Sequence, residues 1–139
     1  MDFNEQWRTI AIAREKAEGL LTQANTVDLY LAAADAFRTG KEQADGLLTQ
    51  NPDAKGKFPY EGDFRALEAG VLLCEILSII QKLKDGSIDK AQAKTDIMPR
   101  SVTLLNLRAD HGRFFDNTFN SRINQIEKIY QKLLQQGAG

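Results

Sequence analysis

The stretch from Asp63 to Lys84 constrains this chain more than any other. Read as a helix, it is apolar on nearly all sides, with Phe64, Leu67, Val71, Leu72, Leu73, Cys74, Ile76, Leu77, Ile79, Ile80 and Leu83. A surface helix carries one apolar stripe, whereas a helix apolar all round has to be enclosed by its neighbours. Lipid is not expected to enclose it. The apolar run Val71–Cys74 stops at Glu75, far short of the ~20 residues that span a bilayer. The rest of the chain must supply the cover, so 63–84 is the expected buried centre of the fold.

The flanking segments have the pattern to do so. Phe3, Trp7, Ile10, Ala17 and Leu21 recur at helical spacing over residues 2–23. Arg14 interrupts them, and its aliphatic stem can lie on apolar surface. Thr26 is the expected N-cap of a second helix with Val27, Tyr30, Leu31, Ala34, Phe37, Ala44, Leu47 and Leu48 on one side. Gly40 predicts a break or bend there, because glycine costs about 1 kcal/mol relative to alanine in a helix. Asn51-Pro52 ends the helix, and the longest loop runs from Asn51 to Gly62.

Beyond 63–84, Gly86 is a natural left-handed cap, and Ser87 or Asp89 opens a short fourth helix through Lys94. Pro99 predicts another break. Ser101 then caps a fifth helix with Val102, Leu104, Leu105 and Leu107, closed by Gly112. Asp116 or Asn117 caps the last helix, striped by Phe119, Ile123, Ile126, Tyr130 and Leu133, with Phe114 or Phe115 as a hydrophobic staple. The tail Gly137-Ala138-Gly139 is expected to fray. Lys16–Gln23 echoes Gln43–Gln50, but without the period or consensus of a solenoid. No segment alternates as a strand does. The predicted fold class is all-α: a single-domain bundle, residues 1–139, of five to six helices.

A chain of 139 residues, 42% hydrophobic and 27% charged, can form a core without metal or disulfide. Its single cysteine, Cys74, permits no internal disulfide. The acidic, polar start Met1-Asp2-Phe3-Asn4-Glu5 lacks the pattern of a secretory leader. Together these set the expectation of a cytoplasmic protein that does not engage a membrane. A net charge of -1 argues against nucleic acid as partner. The charge is uneven, with 8 Lys/Arg against 12 Asp/Glu in residues 1–70 and 10 against 7 in 71–139. Either the halves mix in space and their fields cancel, or the N-terminal half builds an acidic face.

Most catalytic designs lack residues here. One histidine and one cysteine cannot make a zinc site of three or four Cys/His ligands. The Glu-x-x-His pairs of a di-metal bundle are missing, as is any strand-glycine-helix phosphate loop. Cys74, amid apolar residues, reads as an inert buried thiol. His111, between Asp110 and Gly112, reads either as a base oriented by a carboxylate or as a helix-end histidine favoured by the dipole. No cofactor, metal or catalytic residue is expected.

Two features point to protein contacts. Glu61, Asp63, Glu68 and Glu75 form an acidic row, either a docking strip for a basic partner or a solvated face. Reversing charge at Glu61 and Asp63 is expected to leave stability nearly unchanged. The loop Lys55-Gly56-Lys57-Phe58-Pro59-Tyr60-Glu61 places two aromatics where the chain must be at the surface. They serve either an interface or the closure of the bundle end.

The order of features from about residue 45 to 134 resembles a known group. These are the small helical immunity proteins that neutralise type VI secretion toxins, especially those paired with an NAD-degrading toxin. The residues concerned are Leu47-Leu48, Asn51-Pro52, Phe58 and Tyr60, the apolar helix Leu67–Leu83, and Asp85-Gly86-Ser87-Ile88-Asp89. A short helix, a further apolar helix and the acid-aromatic stretch Asp110–Phe119 follow. Helix 2–23 is additional to that pattern. Leu104-Leu105-Asn106-Leu107-Arg108-Ala109 stands where the family shows Gly, Ala-Val and Glu-Phe. The resemblance implies a non-enzymatic protein, monomeric when free, that occludes a cognate toxin domain. The expected partner-binding residues are Phe58, Tyr60, Glu61, Asp63, Glu68, Asp110, His111 and Arg113. A helical adaptor, self-associating through the stripes of its first and last helices, is the alternative. A carboxylate-based hydrolase is a third possibility.

Overall fold

The structure, a computed structural model, describes residues 2–138, and the side chains of residues 2–136. Five α-helices occupy the described chain: α1 (Phe3–Gln23), α2 (Val27–Gln50), α3 (Tyr60–Lys84), α4 (Lys90–His111) and α5 (Asn117–Ala138). Short 3-10 turns at Pro52–Ala54 and Gly112–Phe114 shape two of the connections. No strand forms among the described residues, as the absence of alternation predicts.

Thr26, Asp89 and Asp116 cap their helices as the sequence predicts, and Asp2 caps α1. Asp2 accepts from the Glu5 amide, Thr26 from Leu29, Asp89 from Gln92 and Asp116 from Phe119. Gly86 takes a positive φ of 78° beyond α3, the conformation glycine adopts without a Cβ penalty. At the start of α5 it is Phe115 that forms the staple, its ring edge-on to Phe119 at 5.3 Å. Of the tail, Gly139 lies outside the described residues.

Three boundaries differ from expectation. First, α3 begins at Tyr60, a turn before Asp63. The Glu61 amide donates to the Lys57 carbonyl at 2.8 Å, and Glu61 and Asp63 place negative charge in the first turn, where the helix dipole favours it. Second, α2 runs through Gly40 without a break. Third, α4 is one helix where two were expected, with Pro99 inside it. Pro99 and Thr95 both lie on the exposed side. The carbonyl deprived of an amide by the proline ring is therefore on the solvent side. Ile97, Ser101 and Leu104 stay buried on the opposite side. Ser101, expected as a cap, is instead a small residue fully inside the core.

α3 is the core helix, as its all-round apolarity demands. It packs on α2, α4 and α1; α1 also packs on α2, and α5 closes over α4. Leu67, Leu73, Cys74 and Ile76 are fully buried, whereas Leu77 is only partly so. The stripes of the outer helices, Trp7, Ile10, Ala17 and Leu21 in α1 and Phe119, Ile123 and Ile126 in α5, face inward.

The α2–α3 contact explains the glycine at 40. A Cβ there would stand 2.9 Å from Leu67 Cδ2, closer than real contacts allow. A Cβ at Gly70 would overlap the Phe37 ring. Each helix thus inserts one large side chain into a glycine notch of the other, and Phe37 becomes fully buried. Gly70→Ala should cost about 1–3 kcal/mol through overpacking, and replacing Phe37 with Leu should recover part of it. Guanidinium denaturation of the single and double variants measures this. An identical cost in both backgrounds would show that the two positions do not interlock.

Candidate partner-binding site

The first turns of α3 distribute the expected site residues over different faces. Positions 61, 65 and 68 share one face, by the spacing of four and three. There Arg65 Nε donates to Glu61 Oε1 at 2.7 Å and Nη1 to Glu68 Oε1 at 3.1 Å. Further along, Glu75 lies 3.7 Å from Arg38 of α2 and 3.8 Å from Arg100 of α4. Every carboxylate of that face therefore has an arginine beside it. The expected acidic strip is a ladder of ion pairs.

Asp63 points away from this face, toward α1. It accepts from Trp7 Nε1 at 2.8 Å and from Arg14 Nη1 at 2.9 Å, with its side chain only 15% exposed. Arg14 also pairs with Glu18 at 3.0 Å and reaches the Phe114 carbonyl at 3.5 Å. Burial opposes the charge of this guanidinium, but Glu18 and Asp63 outweigh it and hold its pKa above the ordinary arginine value. On Glu18 burial wins, and its pKa is raised despite Arg14. Tyr60 turns the same way as Asp63. Its hydroxyl is hydrogen-bonded to the Asn4 side chain, and its ring stands edge-on to Phe3 at 4.8 Å and Trp7 at 5.3 Å. Tyr60 and Asp63 are turned toward α1 and hold it in place.

The remaining residues gather at the end of the bundle where the α2–α3 loop meets the α4–α5 turn. Phe58, beside a cis bond to Pro59, is 77% exposed, the most exposed large apolar side chain described. Its ring stacks against Phe114, centroids 6.1 Å apart and planes 24° apart. His111 lies stacked at 6.4 Å from the same ring, and the Arg113 guanidinium sits 4.4 Å from its centroid, at cation–π range. Gly62 lets Phe114 lie flat on α3: a Cβ there would be 3.3 Å from Phe114 Cβ. His111 Nδ1 is 4.0 Å from Glu61 Oε1, too long for a hydrogen bond. Asp110 is exposed beside them, and only its backbone carbonyl is engaged, by Arg113 at 3.0 Å.

The structure therefore brings together Phe58, Glu61, His111, Arg113 and Asp110. Glu68 sits along α3 from them, and Tyr60 and Asp63 are turned toward α1. Phe114, the hub of the cluster, had been placed by sequence only as a possible staple. The signal that separates it from Phe115 is the helix cap: once Asp116 is the cap, Phe115 precedes it and packs inward. That leaves Phe114 for the surface.

Among the described residues no three His, Cys, Asp or Glu side chains gather as a metal site requires. Cys74 is fully buried, and burial pushes its thiol up to about 12, which leaves almost no thiolate at neutral pH. No described helix is long and apolar enough to cross a membrane. The chain matches no family model, no curated protein and no solved structure.

The clamp on α1 corrects the expectation that charge change at Asp63 is neutral. Asp63→Ala strips two partly buried donors of their acceptor and should cost about 3 kcal/mol. Urea denaturation tests this, and a loss below about 0.5 kcal/mol, the level of an ordinary surface substitution, would show that α1 is held by its apolar stripe alone.

Proposed function

We propose that this chain works by binding a partner protein, without catalysis and without a cofactor, through the Phe58–Phe114 end of the bundle. The observation that carries the proposal is Phe58: a large apolar ring left in solvent, yet supported by Phe114 with Arg113 and His111 beside it. An aromatic ring flanked by arginine has the composition of an interface hot spot, and a ring already supported loses less entropy on binding. Asp110 adds an exposed acidic group at its margin, while Glu61 is held by Arg65.

The partner fitting the resemblance of residues 45–134 is a toxin enzyme delivered between bacteria, an NAD-degrading one in the nearest group. The chain would be an immunity protein, monomeric when free and acting in the cytoplasm, that seats Phe58 in the toxin's cleft. The extra helix α1 is compatible with this, because it braces the start of α3 through Asp63 and reaches the Phe114 carbonyl through Arg14. The self-associating adaptor is less well supported, since the stripes it would use are buried within the bundle.

The test begins in the genome: a toxin-domain gene should lie directly upstream. Co-expression with that domain should protect cells. Phe58→Ala should weaken the complex by roughly 2 kcal/mol or more, about thirtyfold in Kd, with unchanged melting temperature. Wild-type affinity in Phe58→Ala would remove this end from the interface. A toxin neighbour that this chain fails to inhibit would end the immunity reading.

A further inference from the structure

The opposite end of the bundle carries a second, chemically different surface. Where α3, α4 and α5 converge, Ile80, Leu83, Ile97, Ile129 and Leu133 line an open groove of about 280 Å³. Four of these five remain partly exposed, Ile97 alone being buried. Leu134, next along α5, is 42% exposed. Lys84 at the end of α3, Lys90 at the start of α4 and Lys132 on α5 stand round the groove on three sides.

Among the described residues these lysines form no ion pair, nor does any other lysine, whereas arginine pairs recur over the rest of the molecule. Residues 80–97 and 128–136 contain six lysines and three aspartates. Asp85 and Asp96 accept from Gln81 and Gln92 side chains and Asp89 caps α4, so none of them pairs with a lysine and the region keeps an excess of three positive charges. An apolar trough with a net cationic rim is complementary to one kind of surface, an apolar stripe with acidic flanks.

We propose that this groove docks an acidic amphipathic helix of a partner protein, its apolar stripe on Ile80, Leu83, Ile129 and Leu133 and its carboxylates on Lys84, Lys90 and Lys132. Shape favours a helix over a small amphiphile. Small-ligand sites bury most of the ligand's surface, and this groove is open. It suits a row of side chains at i, i+3, i+4 and i+7 laid across it. Along α3, position 83 lies roughly 33 Å from position 61, so the groove and the Phe58 cluster are separate surfaces. The inference does not rest on the immunity reading.

The probe is a fluorescein-labelled synthetic peptide of roughly 18 residues, about five helical turns, with leucine on one stripe and glutamate elsewhere. Its controls are a scrambled peptide of the same composition and a version with lysine for glutamate. The full chain should bind the acidic helix saturably by fluorescence anisotropy, less tightly as salt rises, and bind neither control. The double variant Lys84→Glu/Lys132→Glu changes exposed side chains only and should weaken binding about tenfold, with an unchanged melting curve. Phe58→Ala should bind the peptide as wild type does, which separates this test from that of the other end. The proposal is overturned if the acidic helix does not saturate, if the scrambled peptide binds equally, or if charge reversal has no effect. Binding to phosphatidylglycerol vesicles in preference to the peptide would assign the groove to a membrane surface. A dimer in sedimentation that Leu133→Ser abolishes would assign it to a second copy. Either result overturns the proposal.

Discussion

Phe37 and Leu67 each occupy the volume that a side chain at another position would have filled. Phe37 of α2 lies in the notch at Gly70 of α3, and Leu67 of α3 lies in the notch at Gly40 of α2. The exchange lets the two longest apolar faces approach closely, and close approach is what makes α3 coverable by so few helices. The other contacts build outward from it. Phe37 extends to within 6.4 Å of the Phe119 ring of α5, so the interlock reaches the last helix as well as the second. A methyl group at either notch would have to displace the side chain that fills it.

Much of this was legible in the sequence, because it depends on side chains that are apolar at regular intervals. The all-round apolarity of 63–84, the caps at Thr26, Asp89 and Asp116 and the stop at Asn51-Pro52 all have local causes, and local causes can be read from local sequence. The misreadings share a reason too. Gly40 and Pro99 disfavour helix by intrinsic propensity, but tertiary context decided both. One glycine is needed for a neighbouring leucine, and the proline faces solvent where its missing hydrogen bond costs little. Asp63 was misread as surface because its partners, Trp7 and Arg14, are distant in the chain. Nothing near Asp63 announces them. The acidic row likewise has its arginine partners, Arg38, Arg65 and Arg100, on three different helices.

The candidate site was legible in its members but not in its organisation. Phe58, His111 and Arg113 come from two connections far apart in sequence, and what joins them is Phe114, seated against Gly62. The two ends of the bundle then differ in chemistry. One presents an aromatic ring flanked by an arginine and a carboxylate. The other presents an aliphatic trough ringed by lysine. In between, one face of α3 is ion-paired through Arg38, Arg65 and Arg100. The length of α3 sets the distance between these two surfaces.

The clamp between α1 and α3 also has an optical side. Trp7 is the single tryptophan of the chain, and its indole N–H is given to a carboxylate while its ring meets Tyr60 and Phe3. The intrinsic fluorescence of this protein is thus a gauge of one joint. Emission that shifts to the red while the helical circular dichroism signal persists would report α1 lifting away from an otherwise intact bundle. Emission and dichroism changing together would report collapse of the whole.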